Sequence, residues 1–139
     1  MDDHPDDPPE GFLPLAETCE AELHSGPYYT RRDGDEALIG FRVRRRHLNR
    51  SGICHGGVLA TLADMNVTPI LRDMDVSRMN PTISMSLDYM APARLGQWVQ
   101  AESRILKTTR HILFSECLIT ADGDPAVRAS VVYKLGKRA

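Results

Sequence analysis

The chain has 139 residues, of which 42% are hydrophobic and 26% charged, and its net charge is −2 at neutral pH. That length suits one domain with a real core and excludes two of ordinary size, while the composition excludes collagen-like, low-complexity and disulfide-scaffold proteins. Three cysteines without a CxxC pair argue against a zinc cage, no apolar run approaches the roughly 18 residues of a membrane span, and the mild charge is not the basic stripe of a nucleic-acid binder.

Residues 1–10 (MDDHPDDPPE) combine five acids with proline and have no apolar periodicity, so a disordered acidic arm is expected ahead of a single domain over 11–139. This start lacks the basic-then-apolar pattern of a signal peptide, which makes the cytoplasm the expected location. Packing should begin near Phe12, with Leu13, Leu15, Ala16, Cys19 and Leu23 on a short amphipathic helix stopped by Ser25-Gly26-Pro27. The stretches Tyr28 to Arg32 and Ala37 to Arg45 flank Asp33-Gly34-Asp35, and the Asp-Gly step predicts a hairpin.

From Gly57 to Asp73 the run is rich in Ala, Leu and Met, which predicts one long helix wrapped by sheet, bent or stopped at Pro69. Four strands follow, at Thr82 to Met90, Gln97 to Leu106, His111 to Thr120 and Ala126 to Leu135, each expected to pair antiparallel with its neighbour. Alternation is clearest in the last, where Val127, Ala129, Val131, Tyr133 and Leu135 share one side. The predicted fold class is α+β, a bent antiparallel sheet of about six strands around one central helix.

The segment richest in chemistry is His47-Leu48-Asn49-Arg50-Ser51-Gly52-Ile53-Cys54-His55-Gly56-Gly57, followed by Asp64. It lies where a strand hands over to the long helix. Two glycines there let a ligand approach the backbone, and the first helical turn presents unpaired N–H groups at its positive end, a geometry suited to a developing oxyanion. Asp64 lies eight residues beyond Gly56, about 12 Å along a regular helix, too far for both groups to act on one carbonyl within one chain. An antiparallel neighbour would bring its own Asp64 to the first chain's Gly56, so a homodimer is expected.

Asn49, Gly52, His55-Gly56-Gly57 and Asp64, with the downstream Tyr89-Met90-Ala91-Pro92-Ala93 and Arg94-Leu95-Gly96, resemble the hotdog-fold thioesterases of the phenylacetic-acid-degradation (PaaI) type from about Gly26 to Lys134. The resemblance implies hydrolysis of an acyl-CoA thioester. It makes Gly56 the backbone donor to the thioester carbonyl, Asn49 a polar group near that carbonyl or the attacking water, Asp64 the general base or nucleophile, and Thr82 the hydroxyl that helps hold the water. It leaves His55 to orient the loop or the ligand, and it implies a homotetramer of paired dimers. Gly57, Lys107 and Arg110 are candidate substrate-binding residues, the last two toward the phosphates of coenzyme A, for which Arg44, Arg45 and Arg46 also compete.

Plainer roles stand beside these: Asn49 capping a turn, Gly56 and Gly57 serving a tight turn, His55 and Thr82 serving structure alone. Cys54 beside His55 is a rival nucleophile without sign of a lowered thiol pKa. No histidine pair has metal-ligand spacing, so neither metal nor cofactor is expected beyond the coenzyme A of the substrate. Two other functions compete: a non-catalytic acyl-CoA sensor, and a hydratase or dehydratase acting on an enoyl thioester.

Overall fold

Alternating burial along the long strands builds the sheet: in the strand Ile112–Ala121, Leu113, Ser115, Cys117, Ile119 and Ala121 are buried while Phe114 and Leu118 face out. The computed structural model describes residues 6–16, 18–73 and 80–136. Its strands are β1 (Leu13–Pro14), β2 (Tyr29–Asp33), β3 (Glu36–Arg42), β4 (Thr82–Tyr89), β5 (Trp98–Thr108), β6 (Ile112–Ala121) and β7 (Asp124–Lys134), and its α-helices are α1 (Glu20–Ser25), α2 (Gly56–Asp64) and α3 (Thr68–Asp73). All strands pair antiparallel in the order β1-β2-β3-β5-β6-β7-β4. Among the described residues no helix is long and apolar enough to cross a membrane.

Helix α2 lies on the inner face of the sheet. Leu59, Leu62 and Ala63, at helical spacing, join Ile39, Phe41, Val99, Ala101, Ile119, Val127 and Ala129 in the main core. Its opposite side, with Val58, Ala60 and Thr61, is only half-buried, so within one chain the sheet covers one face of the helix rather than both.

Four expectations are corrected. The sheet has seven strands instead of about six, because Leu13–Pro14, expected on a helix, pair with Thr30 and Tyr29 as β1; helix α1 begins only at Glu20 and buries no side chain. Among the described residues packing already includes Asp6, ahead of Phe12, while residues 1–5 of the expected arm lie outside the described residues: the Asp6 carboxylate accepts from Tyr29 Oη (2.9 Å) and Arg44 Nε (2.9 Å), and its carbonyl accepts from Arg42 Nε. Next, β4 pairs with β7 and not with β5, since the eight-residue link 90–97 is too long for a tight hairpin and carries the chain from the sheet edge to β5, beside β3.

Finally, the long helix is two helices. The break at Met65–Val67 precedes Pro69, which has no N–H to return to the Met65 carbonyl; Thr68 N donates there instead at 3.0 Å. The side chain of Asn66 adds to the break by donating to Ala63 O at 2.7 Å. Pro69 then sits in the first turn of α3, where a missing donor costs nothing.

Candidate active site

The loop before α2 is organised by Asn49. Its Oδ1 accepts from Ser51 N at 2.9 Å and Ile53 N at 3.2 Å, its own N–H donates to Ile53 O at 2.8 Å, and Gly52 takes φ +79° in the turn between. Asn49 therefore does cap a turn through its oxygen, while its amide nitrogen keeps no hydrogen bond among the described residues. Cys54 N donates to Ala93 O at 2.8 Å and Ile53 bridges Arg94, so the loop is fastened to the segment after β4.

At the start of α2 nearly every donor is occupied. Gly57 N donates to His55 Nδ1 at 2.8 Å, and Val58 N and Leu59 N donate to His55 O. The His55 ring, accepting at Nδ1, caps the helix. A Cβ on Gly57 would stand 3.0 Å from that nitrogen, which is why the cap fits. Gly56 N is left with no partner among the described residues. Tyr89 closes over the same residue, donating its hydroxyl to Gly56 O at 2.7 Å. Asn49, Ile53, Cys54, Gly56, Leu59 and Tyr89 line an open cleft of about 460 Å³.

Asp64 occupies the other end of α2. A carboxylate at a helix C-terminus opposes the macrodipole, so its placement there costs rather than adds local stability. It is half-buried; Thr82 Oγ1 donates to its Oδ1 at 2.5 Å, and Oδ2 has no hydrogen-bond partner among the described residues. Behind it lies a buried polar cluster: Tyr133 Oη donates to Asp64 O at 2.6 Å, and Asn66 Nδ2 donates to Tyr133 Oη at 3.0 Å. The sequence reading missed Asn66 and Tyr133. An Asn inside an apolar run was a usable signal for the first, whereas Tyr133 fell in with the core face of an alternating strand.

The candidate residues thus fall into two groups in one chain. Asn49, His55, Gly56 and Gly57 gather at the start of α2, and Asp64 and Thr82 at its end. Lys107 and Arg110 lie apart, exposed at the β5–β6 hairpin and without an ion pair among the described residues. Of the rival cations, Arg44 pairs with Asp6 at 2.8 Å and Arg46 donates to Gly26 O. Cys54 is buried, and burial pushes its thiol up to about 12, which removes it as a nucleophile near neutral pH. His47 is buried too; its Nδ1 accepts from Arg44 N, and its Nε2 lies 2.8 Å from Ser25 O.

Residues 51–127 match the family model described as Thioesterase superfamily. A Pseudomonas aeruginosa protein named as an esterase is 31% identical over 132 residues, covering 91% of this chain and 96% of that one. Acyl-coenzyme A thioesterase 13 of Mus musculus is 28% identical over 86 residues, 62% of this chain and 61% of that one. Among solved structures, a mutant of the phenylacetic acid degradation protein PaaI of Thermus thermophilus superposes with a TM-score of 0.70 at 21% identity, covering 82% of this chain and 96% of that one.

Proposed function

This chain belongs to the Thioesterase superfamily, and from that membership we propose that it hydrolyses acyl-CoA thioesters at a site shared by two copies, with Gly56 of one and Asp64 of the other. One observation carries the reading: α2 presents a free backbone donor at its first residue and a half-committed carboxylate at its last. The two ends lie about 12 Å apart, so no single carbonyl reaches both.

The edge strand supplies a way to bring them together. Within one chain the start of β4 is tied to Asp64 through Thr82, and its end to Gly56 through Tyr89. Antiparallel pairing of β4 with its copy lays start beside end, and each Gly56 then faces an Asp64 from the neighbour. The open edge of β4, where Ile83 is 55% exposed, and the half-buried side of α2 support this pairing. Two such dimers form the tetramer that the resemblance implies.

In the reaction, Asp64 takes a proton from water and the resulting hydroxide attacks the thioester carbon. The carbonyl oxygen gains negative charge and accepts from Gly56 N, with the free amide of Asn49 beside it. Such a preorganised donor lowers the barrier by roughly 3–4 kcal/mol. Collapse breaks the C–S bond, the thiolate takes the proton back from Asp64, and a carboxylic acid and coenzyme A leave. In the variant where Asp64 itself attacks, the C–S bond breaks as an acyl anhydride forms, water opens the anhydride, and the departing thiolate takes the proton released; label found on Asp64 after a single turnover in H₂¹⁸O marks this route, because only the anhydride can leave it there. Thr82 holds the carboxylate, Gly57 shapes the turn at the carbonyl, and Lys107 and Arg110 meet the phosphates. No cofactor is needed beyond the coenzyme A that the substrate carries.

The test is thiol release from a panel of acyl-CoAs of differing chain length and aromaticity. Asp64→Ala should lose at least about a hundredfold in kcat. Equal rates for the variant and the wild type would remove Asp64 from the chemistry.

A further inference from the structure

Asp64 is gripped twice from the same place in the sheet. Thr82 and Tyr133 are direct cross-strand partners in the β4–β7 ladder. Thr82 donates to the side chain of Asp64, and Tyr133, 4% exposed, donates to its carbonyl. The hydroxyl of Tyr133 has a single proton to give, and Asn66 Nδ2, donating to the phenol oxygen at 3.0 Å, leaves that proton for Asp64. Asn66 is wholly buried, and the same nitrogen donates to Ala63 O at 2.7 Å and stands 3.5 Å from Ser115 Oγ. Turning the amide over would set its oxygen against the Ala63 carbonyl, so the orientation is determined.

That arrangement satisfies the carbonyl of Asp64 by a side chain instead of water, and gives the carbonyl of Ala63, which already accepts from Asn66 N at 3.2 Å, a second donor. It also leaves Asn66 Oδ1 buried with no partner among the described residues. An orphaned buried acceptor is locally unfavourable, and such costs persist where the remaining geometry serves a purpose. Burial and the nearby charge of Asp64 both raise the Tyr133 pKa, so the phenol stays protonated and keeps donating.

We infer that Tyr133, aimed by Asn66, is a positioning residue for Asp64: it fixes the backbone of the acid while Thr82 fixes the carboxylate, and both are needed to point the free Oδ2 at the water. The inference rests on the reading of Asp64 as the general base or nucleophile, and it extends that reading to residues that never touch substrate.

The measurement is kcat and KM for Tyr133→Phe, which deletes one oxygen, on the acyl-CoA that the wild type turns over fastest. We expect kcat to fall about tenfold or more, as a loosened catalytic group does, with KM within about twofold. Val131→Ala, from the same minor core as Tyr133, is the control: it should lose at least as much thermal stability and keep kcat. Combining Thr82→Val with Tyr133→Phe should lower kcat by less than the product of the single losses, because either change alone already frees the acid. Wild-type kcat in Tyr133→Phe overturns the inference, as does an equal fall in kcat for Val131→Ala. If Tyr133→Phe does not fold, Asn66→Ala is read by the same split between kcat and KM. Full activity in Asp64→Ala instead overturns the reading beneath, so the two failures are distinguishable.

Discussion

Thr82 Oγ1 donates to Asp64 Oδ1 across 2.5 Å and so joins the first residue of β4 to the last residue of α2. If that bond aims the acid, the hydroxyl matters and the methyl does not. Thr82→Ser should keep kcat within about twofold, whereas Thr82→Val should lower it about tenfold, both read by thiol release. Equal loss in the two variants would place the effect in packing rather than in the hydrogen bond.

Asn49 uses its oxygen to fold the loop and leaves its nitrogen unused, which makes the two roles separable. Asn49→Asp keeps an acceptor for Ser51 N and Ile53 N and should melt within a few degrees of the wild type. It puts a negative charge where an oxyanion would form, so kcat should fall by about a hundredfold or more. A variant as active as the wild type would leave Asn49 a loop residue only.

Two glycines should respond in opposite ways to alanine. At Gly40 a Cβ would come within 2.5 Å of Val99 O and 2.8 Å of the Trp98 ring, both held by the sheet, and Gly40→Ala should cost about 2 kcal/mol or more in chemical denaturation. At Gly56 the nearest atoms belong to Tyr89 at 3.4 Å, an ordinary contact. Gly56→Ala should therefore stay folded while losing turnover, because the added methyl enters the cleft at the carbonyl donor.

Alkaline pH should unfold the protein through its buried thiols. Burial raises Cys54 and Cys117 from 9.0 to about 12, with the charge of Glu116 adding to the second. An acid whose folded pKa is raised favours folding fully below the unfolded value and loses that contribution as pH climbs to the folded one. Stability should thus be level up to about pH 9 and fall between about 9 and 12. Denaturant midpoints measured across that range should decline less steeply in Cys54→Ala, relative to its own value at pH 8.

The acidic leader should matter to stability. Asp6 pairs with Arg44, both largely buried, and Arg42 donates to the backbone of Asp6. Phe12 packs edge-on to Trp98 with ring centres 5.0 Å apart. Removing residues 1–12 should lower the melting temperature by several degrees, since one buried aromatic contributes roughly 2–3 kcal/mol, while kcat stays unchanged.

The long strands were readable because burial on one face imposes a period of two, and β4 to β7 begin within two residues of their expected positions. The hairpin at Gly34 was readable for a different reason: its φ of +61° favours glycine. Strand order was not readable, because the periodicity of Ser84 to Leu87 says which face is apolar and nothing of which neighbour pairs with it. The interruption of the helix was legible in Pro69, but its place was not, since Met65 and Val67 fit an apolar helical run as well as they fit the turn they occupy. Of the site, the glycines, Asp64 and the turn-capping role of Asn49 announced themselves by residue type and local spacing, whereas the support from Tyr133 depends on a contact between segments far apart in the chain.

The seven strands end differently at their two borders. On one side β1 is two residues long and finishes in Pro14, whose ring nitrogen has no hydrogen to offer a newcomer. On the other side β4 is eight residues long and, among the described residues, has no strand beyond it. A sheet blunted at one border and receptive at the other steers any strand-to-strand contact to a single side, and a contact made there uses up the longer open edge.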